Sequence, residues 1–175
     1  MRARYVVDTN VLIAASASDA TEGRKIDATP ANPALRLQVW EWLSEFEQSD
    51  TKIVLDGAGK ILEEYDRNLG FNDYGIQVVM TKFSTAAADI VAVEYDADGN
   101  AILPDTLAPT IHDLSDRKMV SAALCSHLDF GEGCVAFAGD TDWHEWETAL
   151  AAHNVLLEPI IEEWSRQKYE EKKER

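Results

Sequence analysis

Arg4-Tyr5-Val6-Val7-Asp8-Thr9-Asn10-Val11-Leu12-Ile13 sets an apolar run, three polar residues and a second apolar run in succession. The aromatic and β-branched residues Tyr5, Val6 and Val7 predict a buried strand. The polar triplet predicts the turn after it, with Asn10 as a cap for the helix that follows. In an open parallel sheet, ligands bind outside the carboxyl ends of the strands, so Asp8 stands where a site would be. Asp is also a common turn residue, and its position carries weight only where later segments repeat the arrangement.

Later segments do repeat it. Ile53-Val54-Leu55-Asp56 reads as a second strand, Gly57-Ala58-Gly59 as its turn, and Ile61, Leu62, Tyr65 and Leu69 as the apolar side of a helix closed by Gly70. Cys134-Val135-Ala136-Phe137-Ala138 predicts another strand, ending in Gly139-Asp140-Thr141-Asp142. A helix with Trp143, Trp146, Ala149 and Leu150 follows, then a last strand at Val155-Leu156-Leu157 and a closing helix with Ile160, Ile161 and Trp164. Alternating strand and helix units predict an α/β fold, a three-layer α/β/α sandwich around a central, mostly parallel sheet. Residues 1–165 are expected to form one domain, and 166–175 a charged C-terminal helix end or tail.

Between these units, residues 16–33 lack periodicity and read as a long loop. Asn32-Pro33 then starts a helix carrying Leu35, Val39, Trp42, Leu43 and Phe46 on one stripe. Residues 73–88 predict a helix with Ile76, Val79, Met80 and Phe83 inward. Asp96-Ala97-Asp98-Gly99-Asn100 is a turn between two apolar runs, predicting a β-hairpin insertion near 90–103. It is no calcium loop, since Ala101 stands where such a loop needs Gly and no Glu closes it. After a connection at 104–112, Ser115 is a candidate N-cap for a helix with Met119, Val120, Ala123, Leu124 and Leu128 inward. Asp116 shares the face of Val120 and Ala123 although it is charged, at a helix start where the dipole offsets part of its charge. Asp113 reads as a capping residue.

A chain of 175 residues suits one domain with a core of its own. Its formal net charge of −16, from 32 acids against 16 Lys and Arg, excludes a broad basic face for nucleic acid. Cys125 and Cys134 have neither CxxC nor zinc-ligand spacing and are expected to be reduced thiols. With no leader-like N-terminus and no membrane-length apolar run, the expected setting is soluble and cytoplasmic, with no membrane partner.

Asp8, Asp116, Asp140 and Asp142 each fall at an element boundary, and Glu64 lies in a helix beside the sheet, nearer its apolar stripe than the alternative Glu63. Parallel strands would bring those boundaries to one edge. Two carboxylates at 4 Å repel by about 4 kcal/mol at an effective dielectric of 20. Protons taken up at raised pKa values would relieve this, and so would hard divalent cations such as Mg²⁺ or Mn²⁺. A cation would also give the site a use, by activating water against a phosphodiester.

The VVDTNVLI opening, the ILEEYDRNL helix, the DLSDRKMVSAAL helix start and the FAGDTDW strand end, in that order, resemble the PIN domain. That metal-dependent ribonuclease family includes the toxins of VapBC-type toxin–antitoxin pairs. The resemblance implies a homodimer-forming hydrolase that cuts single-stranded RNA with Mg²⁺ or Mn²⁺ in an acidic pocket, and that a protein antitoxin can accompany. By the same resemblance, Asp8, Glu64, Asp116 and Asp140 are the catalytic acids, Asp8, Asp116, Asp140 and Asp142 hold metal, and Thr9 and Asn10 support the site. One or two ions fit this reading equally. The chain departs from the family pattern at Ala138, where many members carry Thr or Ser, and in its unusual acidity.

Three other readings compete. Asp8-Thr9-Asn10-Val11 resembles the start of a haloacid-dehalogenase-type phosphatase, but Asn10 replaces that family's second Asp. A receiver domain would need a late strand-end Lys. A PIN-like binding or scaffold module with weak or no catalysis suits the acidic charge. Arg67, Arg117 and Lys118 lie near the candidate acids and read as solvated surface charge.

Overall fold

The computed structural model describes residues 1–18 and 26–174. In chain order the elements are β1 (Arg4–Val7), α1 (Thr9–Ser18), α2 (Pro33–Gln48), β2 (Lys52–Asp56), α3 (Lys60–Asn68), α4 (Tyr74–Ser84) and β3 (Ala88–Val91). They continue with α5 (Arg117–Phe130), β4 (Gly133–Phe137), α6 (Asp142–Ala152), β5 (Val155–Pro159) and α7 (Glu162–Lys173). The strands form one parallel sheet in the order β3-β2-β1-β4-β5. The expected α/β architecture is the one observed.

This order places the site. The chain moves outward from β1 through β2 to β3, then returns to add β4 and β5 on the other side of β1. Right-handed crossovers therefore put the helices after β1 and β2 on one face and those after β3 and β4 on the other. Accordingly α1, α2 and α4 pack on one another, while α5 crosses all five strands. The strand order reverses between β1 and β4, the switch point at whose carboxyl ends open α/β sheets bind ligands.

The core is continuous around this sheet. Tyr5, Val6 and Val7 of β1 are fully enclosed, as are Val135, Ala136 and Phe137 of β4 and the indoles of Trp143 and Trp146. Val39, Leu43 and Phe46 are the buried members of the α2 stripe, and Asn32 caps that helix through the Ala34 N–H. Helices α1 and α4 meet so closely at Gly75 that a Cβ there would stand 2.7 Å from the Leu12 Cβ and carbonyl oxygen.

Several boundaries differ from expectation, some of them through a partner remote in sequence. Helix α1 continues through Ser18 instead of giving way to loop at residue 16. The Ser16 hydroxyl donates to the Leu12 carbonyl at 2.7 Å and accepts the Gly75 N–H at 2.8 Å, so this polar residue is satisfied inside the helix. Of the expected loop, residues 19–25 lie outside the described residues. Helix α1 also starts at Thr9, so Asn10 lies in its first turn and is not its cap.

Helix α4 ends at Ser84, and Ala88 already belongs to β3. Ala86, with φ at 59°, takes the left-handed conformation between them. Met80 and Phe83 are exposed and Lys82 is buried in their place. The Lys82 ammonium donates to the Ser49 and Thr51 carbonyls beyond α2 and lies 4.5 Å from the centre of the Phe46 ring. Hydrogen bonding thus overrides hydropathy on that face.

The excursion near 90–103 turns at 96–100, where the Asp96 carboxylate accepts the Asp98 and Asn100 N–H groups. Beyond it there is a single antiparallel bridge, Tyr95 to Ala101, and not the two-stranded hairpin expected. At α5, Asp116 occupies the N-cap position, whereas Ser115 donates its N–H and hydroxyl to Asp113. Leu128 is 81 % exposed, not inward. Helix α7 carries residues 162–173 without a break, and Ser165 within it is buried against His144. No helix among the described residues is long and apolar enough to cross a membrane.

Candidate functional site

Asp8 follows β1 directly, and its N–H is held by the Ala136 carbonyl of β4 at 2.9 Å, which fixes it between the two strand ends. It is 3 % exposed, and its Oδ2 is buried without a hydrogen-bond partner. Burial drives its pKa well above the ordinary carboxylate range. The negative charges of Asp116, Asp140 and Glu64 push the same way, while Asn10 opposes them.

Asp116 reaches the same place from the start of α5. It is buried, and burial pushes its pKa up to about 8, reinforced by Asp140, Asp113 and Glu64 and opposed by Lys118. Asp140 follows β4, and burial raises its pKa too, against the Asp142 N–H that donates to its Oδ1 at 2.9 Å. The structure therefore brings together Asp8, Asp116, Asp140 and Glu64, acids from four separate segments, as one electrostatic cluster.

Glu64 resolves the choice between neighbours on α3. Its side chain is 19 % exposed against 55 % for Glu63, which points outward to Lys60. One Glu64 oxygen accepts the Thr9 hydroxyl and the other pairs with the Lys118 ammonium. Lys118 in turn donates to the Ser115 carbonyl at 2.6 Å. Sequence reasoning placed Lys118 on the solvated surface, yet its side chain is only 14 % exposed and belongs to the site. Adjacency to Asp116 was the available signal; its partner on α3 was not visible in the chain.

Asp142 sits at the edge of the cluster, held by the Lys172 ammonium of α7. The C-terminal charges are thus not all free in solvent. Arg117 donates to the Ile111 and Ala108 carbonyls and is structural. Asp113 faces Ser115, whose hydroxyl and N–H hold its carboxyl below the ordinary range.

Asp56 shows what a strand-end acid does when it is structural. It too is buried, but its two oxygens accept the Lys60 N–H at 3.0 Å, the Ile61 N–H at 2.8 Å and the Tyr95 hydroxyl at 2.9 Å. From outside the helix it satisfies the first N–H groups of α3, whose N-cap is Gly59, and its hydrogen-bonding capacity is used. Asp8 has no such set of donors.

A cleft of about 340 Å³ adjoins the cluster on the Glu64 side, with Lys60, Arg67, Lys118, Glu63 and Ser115 in its walls. Among the described residues, no three His, Cys, Asp or Glu side chains are already gathered tightly enough to hold a metal ion as they stand. The donor chemistry nevertheless suits a hard divalent cation: the groups that could hold one are carboxylate oxygens that repel one another, with one buried oxygen unpartnered. Searches of family models, curated proteins and solved structures return no match.

Proposed function

We propose that this chain is a PIN-type, metal-dependent endoribonuclease that hydrolyses phosphodiester bonds of single-stranded RNA. The observation that carries the reading is Asp8: a buried carboxyl with an unpartnered oxygen, facing Asp116, Asp140 and Glu64 at the point where the strand order reverses. Asp8, Asp116 and Asp140 would hold Mg²⁺ or Mn²⁺, with Asp142 at the rim. When bound, such a cation supplies Lewis acidity to a phosphodiester and makes water a stronger nucleophile near neutral pH. Thr9 keeps Glu64 turned toward the cluster, and Asn10 steadies Asp8.

The cleft beside the acids supports this choice of substrate class. Its volume of about 340 Å³ suits a short extended segment, and Arg67 and Lys60 in its walls offer phosphate contacts within an otherwise acidic molecule. A cytoplasmic setting suits the two free cysteines, Cys125 and Cys134. A protein antitoxin and a homodimer belong to the same reading.

The test is cleavage of a labelled single-stranded RNA with Mn²⁺. The expected result is cutting that EDTA stops and that Asp8→Asn abolishes. Undiminished cutting by Asp8→Asn, or none by the native protein across diverse RNAs, overturns the reading.

The net charge of −16 favours a second reading, a PIN-like scaffold that binds a protein partner and cuts nothing. A cation that binds only the folded state raises its stability. No thermal shift at millimolar Mn²⁺, together with no cleavage, supports the scaffold.

A further inference from the structure

Lys118 and Glu64, paired with each other, both line the cleft beside the acidic cluster. Lys118 lies in the first turn of α5, two residues after Asp116, and reaches across to Glu64 on α3. Glu64 is engaged on both oxygens, by Thr9 on one and Lys118 on the other. Its charge is thereby balanced inside the molecule, and the side chain is turned to the ammonium. Asp8, by contrast, keeps a buried oxygen with no hydrogen-bond partner, and no ammonium among the described residues is paired with it.

A dication entering between Asp8, Asp116 and Asp140 would meet the Lys118 ammonium as a like charge across Glu64. Two cations so close repel strongly in a partly desolvated site. The ammonium sits on a flexible four-carbon stem. Its side chain already lines the cleft with Lys60 and Arg67, so a rotation of that stem carries the charge from Glu64 into the cleft.

We propose that Lys118 is an exchangeable internal counter-ion: it holds Glu64 in the unloaded site, yields that carboxylate to an incoming dication, and turns its own charge toward the cleft. This rests on the reading of the acids as a cation site and adds a positioning residue to it. One consequence is that Lys118 lowers the apparent affinity for the dication. Another is that the freed ammonium faces the cleft where a substrate phosphate would lie.

Calorimetric titration with Mn²⁺ of the native protein, Lys118→Met, Glu64→Gln and the double variant tests this. Lys118→Met is expected to bind Mn²⁺ roughly tenfold more tightly than the native protein, within the usual range of coupling between sites. In the Glu64→Gln background the same substitution is expected to change affinity by less than about twofold, because the coupling runs through Glu64. Lys118→Gln, which keeps a donor for Glu64 and Ser115, is expected to move affinity in the same direction and serves if the Met variant does not fold. Unchanged or weaker Mn²⁺ binding in the folded Lys118 variants overturns the exchange. So does an equal tightening in both backgrounds, which would mark simple repulsion. A native protein that binds no Mn²⁺ overturns the cation site itself, and the exchange with it.

Discussion

The Tyr65 hydroxyl of α3 donates to the carbonyl of Val7, the last residue of β1 and the neighbour of Asp8. This buried contact fixes the helix that carries Glu64 against the strand that carries Asp8, so the spacing of two candidate acids depends on a residue that is neither. Burial beside Asp8, Glu64 and Asp56 raises the Tyr65 pKa well above its ordinary value, and the phenol stays a donor throughout the physiological range.

Tyr65→Phe removes that donor and little volume. The expected cost is about 1–3 kcal/mol of unfolding free energy, the usual penalty for stripping a buried polar group of its partner. Urea unfolding of the variant beside the native protein measures it, and an unchanged midpoint would show that the bond contributes nothing.

Stability without metal is expected to fall as pH rises. For Asp116 the folded state keeps its proton up to about 8, while the unfolded chain loses it near 3.8. Between those values the native state binds more protons than the unfolded one, so unfolding free energy declines by up to about 1.4 kcal/mol per pH unit for such a group. Asp8 and Asp140 act in the same direction, since their pKa values are also raised. Thermal midpoints measured from pH 5 to pH 8.5 in EDTA should fall, and 1 mM Mn²⁺ should remove most of the decline by taking the protons' place. A flat profile in EDTA would contradict the raised values.

Asp140→Asn removes one charge from the cluster, and the new side-chain carbonyl can still accept the Asp142 N–H. In EDTA at pH 8 the variant is expected to be more stable than the native protein, by roughly 1 kcal/mol. In saturating Mn²⁺ the order is expected to reverse, because the native protein alone keeps the full ligand set. A less stable variant in EDTA would make Asp140 a structural cap.

Asp56→Ala provides the contrast. Leaving its buried donors without their acceptor is expected to destabilise the fold by about 1–3 kcal/mol. Mn²⁺ affinity should be unchanged, since its carboxylate serves α3 and Tyr95. A matching loss of metal binding would place Asp56 in the site.

Much of this protein is legible along the chain. The β-branched run before Asp8, the Asn32-Pro33 helix start and the apolar stripe of α2 are local signals, because a strand or helix shows its buried face as a period in sequence. Alternation of such units also implies the parallel sheet, and with it the gathering of strand-end acids. Where a buried polar group had to find a partner, local pattern failed. Periodicity gave Met80 and Phe83 the inward side of α4, but Lys82 took it, drawn by two carbonyls beyond α2.

The same limit divides the acids. Asp8 and Asp56 look alike in sequence, each closing a strand, and Glu63 and Glu64 are adjacent on one helix. Folding gives Asp56 two N–H donors and a phenol, leaves an Asp8 oxygen without any, and turns Glu64 toward Thr9 and Lys118 while Glu63 faces outward. Which element a residue belongs to is a matter of short-range spacing, and the chain states it. Whether its charge is satisfied depends on donors and counter-charges carried by distant segments, and only their packing against the sheet brings those into reach.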